Sequence, residues 1–279
     1  MKSSVERAIE CIWARYDEAL TTSDLASSAM LSKYHFCRTF SQTIGVSPGR
    51  FLSAVRVYQA KRLLRNSAMN VTDISFAVGF NSLGSFTNHF TKSVGTSPGR
   101  YRRMAKGSDS ELLVPPPAPL PSQGWAKRVN GKIILPRDHA IASVYVGVFR
   151  TAILQGWPQA ATVLQFRSPG HWQTYGLQVP PGEWFVHAVA VADTIDPEPW
   201  TRRVQLAGKS GPILAADETS TSAVISLRPV SPMDPPILFA LPELEQQLGR
   251  LAASRGPRCL LDASASRPAE SAAGLANAD

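Results

Sequence analysis

Two planar hydrogen-bonding side chains, those of Arg38 and Asn88, each stand six residues after a serine, Ser32 or Ser82. A guanidinium group offers a rigid fork of donors that fits guanine O6 and N7, and a carboxamide fits adenine N6 and N7. These groups distinguish bases only when they project from an element that enters the major groove of DNA. The chemistry that these residue types suggest is therefore hydrogen bonding to base edges.

The segment 73–101 has the pattern of two helices joined by a tight turn. Gly79 suits a turn that needs a positive φ, and Ser82 suits the N-cap of the following helix. Phe86 and Phe90 stand at i and i+4 and give that helix one apolar face. The small or polar residues assigned to the opposite face are Leu83, Gly84, Ser85, Asn88 and Lys92. This pattern predicts a helix-turn-helix unit.

A second copy of this segment lies upstream, at residues 24–51. The string GVSPGRF at 45–51 recurs as GTSPGRY at 95–101, an offset of 50 residues. At the same offset, Ser32, Phe36 and Phe40 match Ser82, Phe86 and Phe90. An internal repeat indicates that each copy is one supersecondary unit. We therefore expect two helix-turn-helix units joined by a helix.

The pattern GFxSxxxFxxxF followed by GxSPxxYR resembles the signature of the AraC/XylS family of bacterial transcription regulators. The matching residues are Gly79, Phe80, Ser82, Phe86, Phe90, Gly95, Ser97, Pro98, Tyr101 and Arg102. The resemblance covers roughly residues 3–105. It implies an all-α domain of about seven helices, with two recognition helices in successive major-groove segments on one face of promoter DNA. It also implies RNA polymerase as a protein partner and a role as activator, with repression as the alternative. The cytoplasm, in association with the nucleoid, is the expected location because no export signal or membrane span is visible.

The resemblance places base contacts two, five and six residues after the cap, which here are Tyr34, Cys37 and Arg38. Cys37 departs from the polar residue common there and offers only weak hydrogen bonding. The second recognition helix is poorer in forked donors, so we expect it to contribute shape and backbone binding more than base discrimination. The expected DNA-binding residues are Ser32, Lys33, Tyr34, Cys37, Arg38 and Gln42, and then Ser82, Leu83, Gly84, Ser85, Asn88 and Lys92.

Charge is unevenly distributed along the 279 residues. Residues 1–106 contain 15 Lys/Arg against 6 Asp/Glu, a balance of +9, whereas residues 107–279 have a balance of −1. Neutralising phosphates requires such a concentration of positive charge. A non-specific architectural DNA-binding protein would share this charge and remains the alternative.

Helical periodicity predicts a first helix over Val5–Leu20, with Thr22 or Ser23 capping the next one. A long linker helix is expected at Pro48–Asn66, and its stiffness would set the two recognition helices about one duplex turn, roughly 34 Å, apart. Basic residues flank its apolar stripe, with heads free to reach phosphate or water. These residues are Arg50, Arg56, Lys61, Arg62 and Arg65.

A Pro-rich linker at 107–124 separates this region from a second domain at 125–244. Short β-branched or aromatic runs separated by Gly/Pro turns predict about seven strands and an all-β antiparallel sandwich. The predicted strands are 141–149, 161–166, 171–179, 182–193, 201–208 and 221–229. VPPGEWFVHAVAV resembles a hairpin of prealbumin-like, carboxypeptidase-regulatory-type sandwiches. Residues 245–279 are expected to form a disordered tail.

No catalytic constellation is visible in the second domain, so we do not expect an enzyme. His139, His171 and His187 lack a metal-ligand spacing, and no cofactor is expected. The resemblance implies a small-molecule effector or partner site on the sandwich. Its tryptophans at 157, 172, 184 and 200 would form core or line an apolar pocket. The three cysteines have no ligand spacing, which argues against a disulfide framework and a zinc site. The lack of an export signal and of a long apolar run argues against export and membrane insertion.

Overall fold

The computed structural model describes residues 3–106, 127–137, 142–166, 170–192, 204–215 and 221–239. Within them, seven helices precede eight strands. The helices are α1 (Ser4–Arg15), α2 (Thr22–Ser28), α3 (Lys33–Ile44), α4 (Pro48–Asn66), α5 (Val71–Ala77), α6 (Leu83–Val94) and α7 (Pro98–Ala105). The strands are β1 (Lys127–Ile134), β2 (Ala142–Phe149), β3 (Ala160–Phe166), β4 (Trp172–Val179), β5 (Gly182–Ala192), β6 (Val204–Ala215), β7 (Thr221–Ser226) and β8 (Arg228–Pro229). The predicted linker and tail lie outside the described residues.

The first helix is shorter than the periodicity predicts, and the cap of the second lies earlier. α1 ends at Arg15 rather than Leu20. The N-cap of α2 is Thr21, not Thr22 or Ser23, because Thr21 forms a reciprocal capping box with Asp24. That box satisfies two backbone N–H groups at once. A cap one residue later would lose this pair of hydrogen bonds.

The linker helix α4 has the predicted bounds, but two of its basic side chains have other partners than phosphate or water. Arg56 donates to the carbonyl oxygens of Tyr16 and Glu18, both at 2.7 Å. Burial lowers the pKa of Arg56. Lys61 donates to the carbonyl of Leu238 at 2.7 Å. These two cations hold α4 against neighbouring segments, and the expectation of solvent-seeking heads was wrong for them.

The turn of each helix-turn-helix unit contains one residue in the left-handed conformation, but the residue type differs between the two turns. Gly79 has φ +84° in the second turn, and Met30 has φ +56° in the first. Met30 is 72% exposed, so no packing compensates for this conformation. A left-handed backbone costs an L-residue roughly 1–2 kcal/mol.

The strands form a three-stranded sheet of order β4-β1-β7 and a five-stranded sheet of order β3-β2-β5-β6-β8. All pairings are antiparallel except that of β1 with β7, which is parallel. Side chains from both sheets share one core that includes Val129, Ile133, Val146, Trp184 and Ile225. The described residues thus contain two sheets around a common core, with one parallel pairing that the sequence did not predict. Whether this is a prealbumin-like sandwich stays a prediction.

The five-stranded sheet is covered on both faces. Val186 and Ala188 face the core between the sheets, whereas Phe185 packs against the helical core on the other side. Ala152 and Ile153, in the β2–β3 connection, also belong to the helical core. The layers are therefore three-stranded sheet, five-stranded sheet and helices.

The tryptophans divide between core and surface. Trp184 is fully buried and Trp157 packs edge-on against Phe239. Trp172 is 56% exposed, with Lys132 Nζ 3.9 Å from its ring centroid. The expectation of a tryptophan core therefore holds for Trp184 and was wrong for Trp172. Trp200 lies outside the described residues.

His187 is buried on the face of β5 that looks toward the helices. Its Nε2 donates to the Thr151 carbonyl at 2.9 Å, and its ring packs edge-on against Phe149. Burial is the main cause that lowers the pKa of His187 to about 4. The imidazole is therefore neutral in the folded protein at neutral pH.

The two left-handed turn positions should respond oppositely to substitution. Met30→Gly should raise the free energy of unfolding by about 1 kcal/mol, because glycine adopts this φ without steric cost. Gly79→Ala should lower it by more than about 2 kcal/mol, because a Cβ there would lie 2.9 Å from the carbonyl oxygens of Tyr16 and Asp17. Urea unfolding of both variants checks this, and a destabilised Met30→Gly protein would contradict it.

His187 should make stability depend on pH between about 4 and 6.5. In this range the unfolded histidine binds a proton that the folded one does not, so stability falls as pH falls. The full loss is about 3 kcal/mol. In His187→Gln, which keeps a donor for Thr151, the total fall in unfolding free energy between pH 6.5 and pH 4 should be smaller by this amount, so the slope against pH should be shallower. Equal slopes in both proteins would refute the assignment.

Candidate nucleic-acid interface

Helix α3 is oriented by its cap and its buried aromatic face. Ser32 accepts a hydrogen bond from the His35 N–H, and Gly45 ends the helix in the left-handed conformation. Phe36 and Phe40 are fully buried, and their ring centroids lie 5.5 Å apart. Because the buried residues recur at i and i+4, the residues on the remaining arc must face away from the core.

Helix α6 repeats this construction. Ser82 accepts from the Ser85 N–H at 3.2 Å, and Gly95 ends the helix in the left-handed conformation. Phe86 and Phe90 are fully buried, with ring centroids 5.6 Å apart. The structure thus gives both predicted recognition helices the same cap, core face and terminus.

The predicted contact residues of α3 are exposed, with one exception. Tyr34 is 78% exposed, and Ser32, Lys33, Arg38 and Gln42 are also exposed. Cys37 is a half-buried free thiol that packs against the helical core. Tyr34 and Arg38 lie four residues apart, so they share one face of the helix. The structure therefore brings together the two α3 side chains best suited to reading bases.

The predicted contact residues of α6 all face solvent. They are Ser82, Leu83, Gly84, Ser85, Asn88 and Lys92. Leu83 is 39% exposed at the first position of the helix. A Cβ built on Gly84 would meet nothing within 4 Å, so this position leaves open space for a close approach.

Sequence reasoning omitted one position of α6. Thr87 is half-buried and stands 50 residues after Cys37, the offset that relates the two units. It also stands five residues after the cap, where the resemblance places a base contact. Applying the offset to every position of α3 would have found it.

The electrostatics of the two helices favour an anionic partner. Neither α3 nor α6 contains an aspartate or glutamate, whereas Lys33, Arg38 and Lys92 carry positive charge. No carboxylate on either helix would repel a phosphate.

The histidines of these helices differ in environment. Both are exposed, but the ring of His89 also lies against Phe80, with ring centroids 5.7 Å apart. Among the described residues, no group of three or more His, Cys, Asp or Glu side chains is placed to hold a metal ion. No helix in the described ranges has the length and apolar character needed to cross a membrane.

The helical region is similar to known proteins. Residues 25–104 match the family model described as "Helix-turn-helix domain". An uncharacterized HTH-type transcriptional regulator of Haemophilus influenzae is 42% identical over 79 residues, which are 28% of this chain and 26% of that protein. The lactose operon transcription activator of Staphylococcus xylosus is 29% identical over 102 residues, 37% of each protein.

A solved structure is similar over the same part of the chain. It is the DNA-binding domain of AdpA, a global transcriptional factor, in complex with a target DNA. It shares 28% identity and a TM-score of 0.37, covering 38% of this chain and 96% of that one.

The similarity is confined to the helical domain. This chain spans only 26–37% of the length of the Haemophilus and Staphylococcus relatives. The predicted helix-turn-helix domain is confirmed for residues 25–104. The names of these two relatives describe transcription regulators, one of them an activator.

Proposed function

We propose that this protein is a sequence-specific DNA-binding transcription regulator whose helices α3 and α6 enter adjacent major-groove segments. The observation that carries the proposal is the repeated construction of these two helices. Each has a serine cap, a buried pair of phenylalanines and an exposed face without acidic residues. A positively charged helix of this kind fits the width of the major groove.

Arg38 is the proposed main base reader. Its side chain is exposed and, within the described residues, forms no hydrogen bond or ion pair. The guanidinium fork is therefore available to guanine O6 and N7, a contact worth roughly 1–3 kcal/mol of discrimination. Tyr34, one turn earlier, would meet a thymine methyl or a phosphate, and Cys37 would contribute only a weak polar contact.

Helix α6 is proposed to bind mainly through shape and backbone contacts. Asn88 would pair with adenine, and Leu83 would contact a thymine methyl. Ser85 and Lys92 would reach phosphates, as would Lys33 and Gln42 on α3. Gly84 would let the helix approach the duplex closely.

The β domain is proposed to sense an effector or a protein partner and to pass that state to the helices. Its contacts with the helical core, through Ala152, Ile153 and Phe185, support such coupling. RNA polymerase is the partner that an activator would need, and the cytoplasm is the corresponding location. We propose no catalytic role and no cofactor. A non-specific architectural DNA-binding protein remains the alternative function.

Genomic footprinting identifies the bound sites, and the affinity of the Arg38→Ala variant for one of these sites then tests the proposal. The variant should lose about ten- to a hundredfold in affinity for a footprinted site and should cease to prefer one base pair within it. Arg65→Ala is the matched control, because it removes an exposed arginine from α4 instead of a recognition helix. It should weaken binding equally for all sequences.

The alternative makes a different prediction for the same experiment. A non-specific architectural protein would show no footprint preference, and Arg38→Ala would then weaken binding uniformly, as Arg65→Ala does. That result would replace the regulator with the architectural function.

A further inference from the structure

The C-terminal ends of both recognition helices contact the β domain. Lys209 Nζ, on β6, donates to the carbonyl of Ile44, the last residue of α3, at 3.0 Å. The N–H of Gly156, in the β2–β3 connection, donates to the carbonyl of Ser93 in the last turn of α6 at 2.7 Å. One domain thus holds the ends of two helices that belong to different helix-turn-helix units.

These hydrogen bonds satisfy groups that helices leave without partners. The last four carbonyls of an α-helix have no intrahelical donor, and the helix dipole makes that end negative. Lys209 supplies both a donor and a positive charge to α3. Partial burial lowers the pKa of Lys209, although the residue as a whole is exposed. A hydrogen bond from a charged donor is stronger than one from a neutral donor.

The β2–β3 connection also packs tightly against the end of α6. Trp157 lies so near Gly95 that a Cβ there would be 3.1 Å from the indole Nε1. Gly156 has φ +66°, and a Cβ on it would be 3.0 Å from the Lys92 carbonyl. The short β2–β3 connection therefore contacts the end of α6 through the backbone of Gly156 and the indole ring of Trp157.

Two further contacts fix the β domain to the linker and first helices. Lys61 of α4 donates to the Leu238 carbonyl, and Trp13 of α1 donates to the Pro232 carbonyl at 3.3 Å. The segment that carries Pro232 is itself held by the ion pair of Arg228 with Asp234. Leu238 is fully buried in the helical core and its N–H donates to Leu154. The β domain consequently contacts α1, α3, α4 and α6.

We propose that the β domain is a brace that fixes the spacing and orientation of the two recognition helices, with Lys209 and Gly156 as positioning residues. The proposal rests on the function proposed above for α3 and α6. In a protein where α4 alone joined the two units, bending of that helix would let them sample several spacings. Here the ends of both helices are tied to one sheet domain, so a single spacing is held before DNA binds. Preorganisation of this kind favours sites of one matching length.

Distance measurement in the full chain tests the brace without DNA. Nitroxide labels at Ser27→Cys on α2 and Ala77→Cys on α5, both exposed positions, report the separation of the two units by pulsed electron resonance. Cys11, Cys37 and Cys259 are changed to serine in this background. The parent should give one narrow distance. Lys209→Met, which keeps the stem but not the donor, and Gly156→Val, which pushes on α6, should each broaden or shift it.

Two matched controls separate positioning from general damage. Lys132→Met removes the same charge from the outer sheet, and Gly170→Val places a β-branched residue at a similar φ of +69°, remote from α6. Both controls should keep the parent distance. Lys209→Arg, which restores a cationic donor, should recover much of the narrow distribution, and circular dichroism establishes that each variant is folded.

Binding to a footprinted site and to the same site lengthened by one base pair provides the second readout. Lys209→Met should reduce the preference for the original length by at least about tenfold, the size expected for one hydrogen bond from a charged donor. Unchanged distances and unchanged length preference in both Lys209→Met and Gly156→Val would overturn the brace. If the narrow distance broadens in the variants but the parent protein binds no specific DNA, the brace is supported and the proposed function is rejected.

Discussion

The structure depends on the burial of two phenylalanine pairs, Phe36 with Phe40 and Phe86 with Phe90. All four side chains are fully buried. Removing one such ring costs about 3–5 kcal/mol, whereas an N-cap is worth about 1 kcal/mol and an exposed ion pair less. Aromatic burial therefore sets which way α3 and α6 turn. Once these faces are fixed inward, Arg38 and Asn88 must lie on the outward arc.

The features of the helical domain that were predictable from the sequence are local. The caps at Ser32 and Ser82 and the bounds of α4 follow from side-chain spacing within a few residues. The capping box at Thr21 was missed although its partner Asp24 is visible in sequence. The internal partners of Arg56 were not predictable, because the carbonyls that it binds belong to the turn after α1, about 40 residues earlier.

The β domain was less predictable because its burial is not local. The strand β1 was missed since Asn130-Gly131 has the composition of a turn, yet it forms the centre of a sheet. The predominantly apolar sequences of β2 and β5 reflect a sheet that is covered on both faces, which a two-layer sandwich does not require. Lys209 has no sequence signal at all, because its partner at the end of α3 is 165 residues away. The connection between the domains is thus a product of tertiary packing.

The proposed function requires that helices α3 and α6 read one DNA site together. Selection of bound sequences from a random duplex pool by the full chain tests this most directly. The expected result is a pair of conserved blocks whose centres lie about one helical turn, roughly 10 base pairs, apart, with a guanine in the block read by α3. A pool that stays random, or one that yields a single block at any spacing, would contradict it.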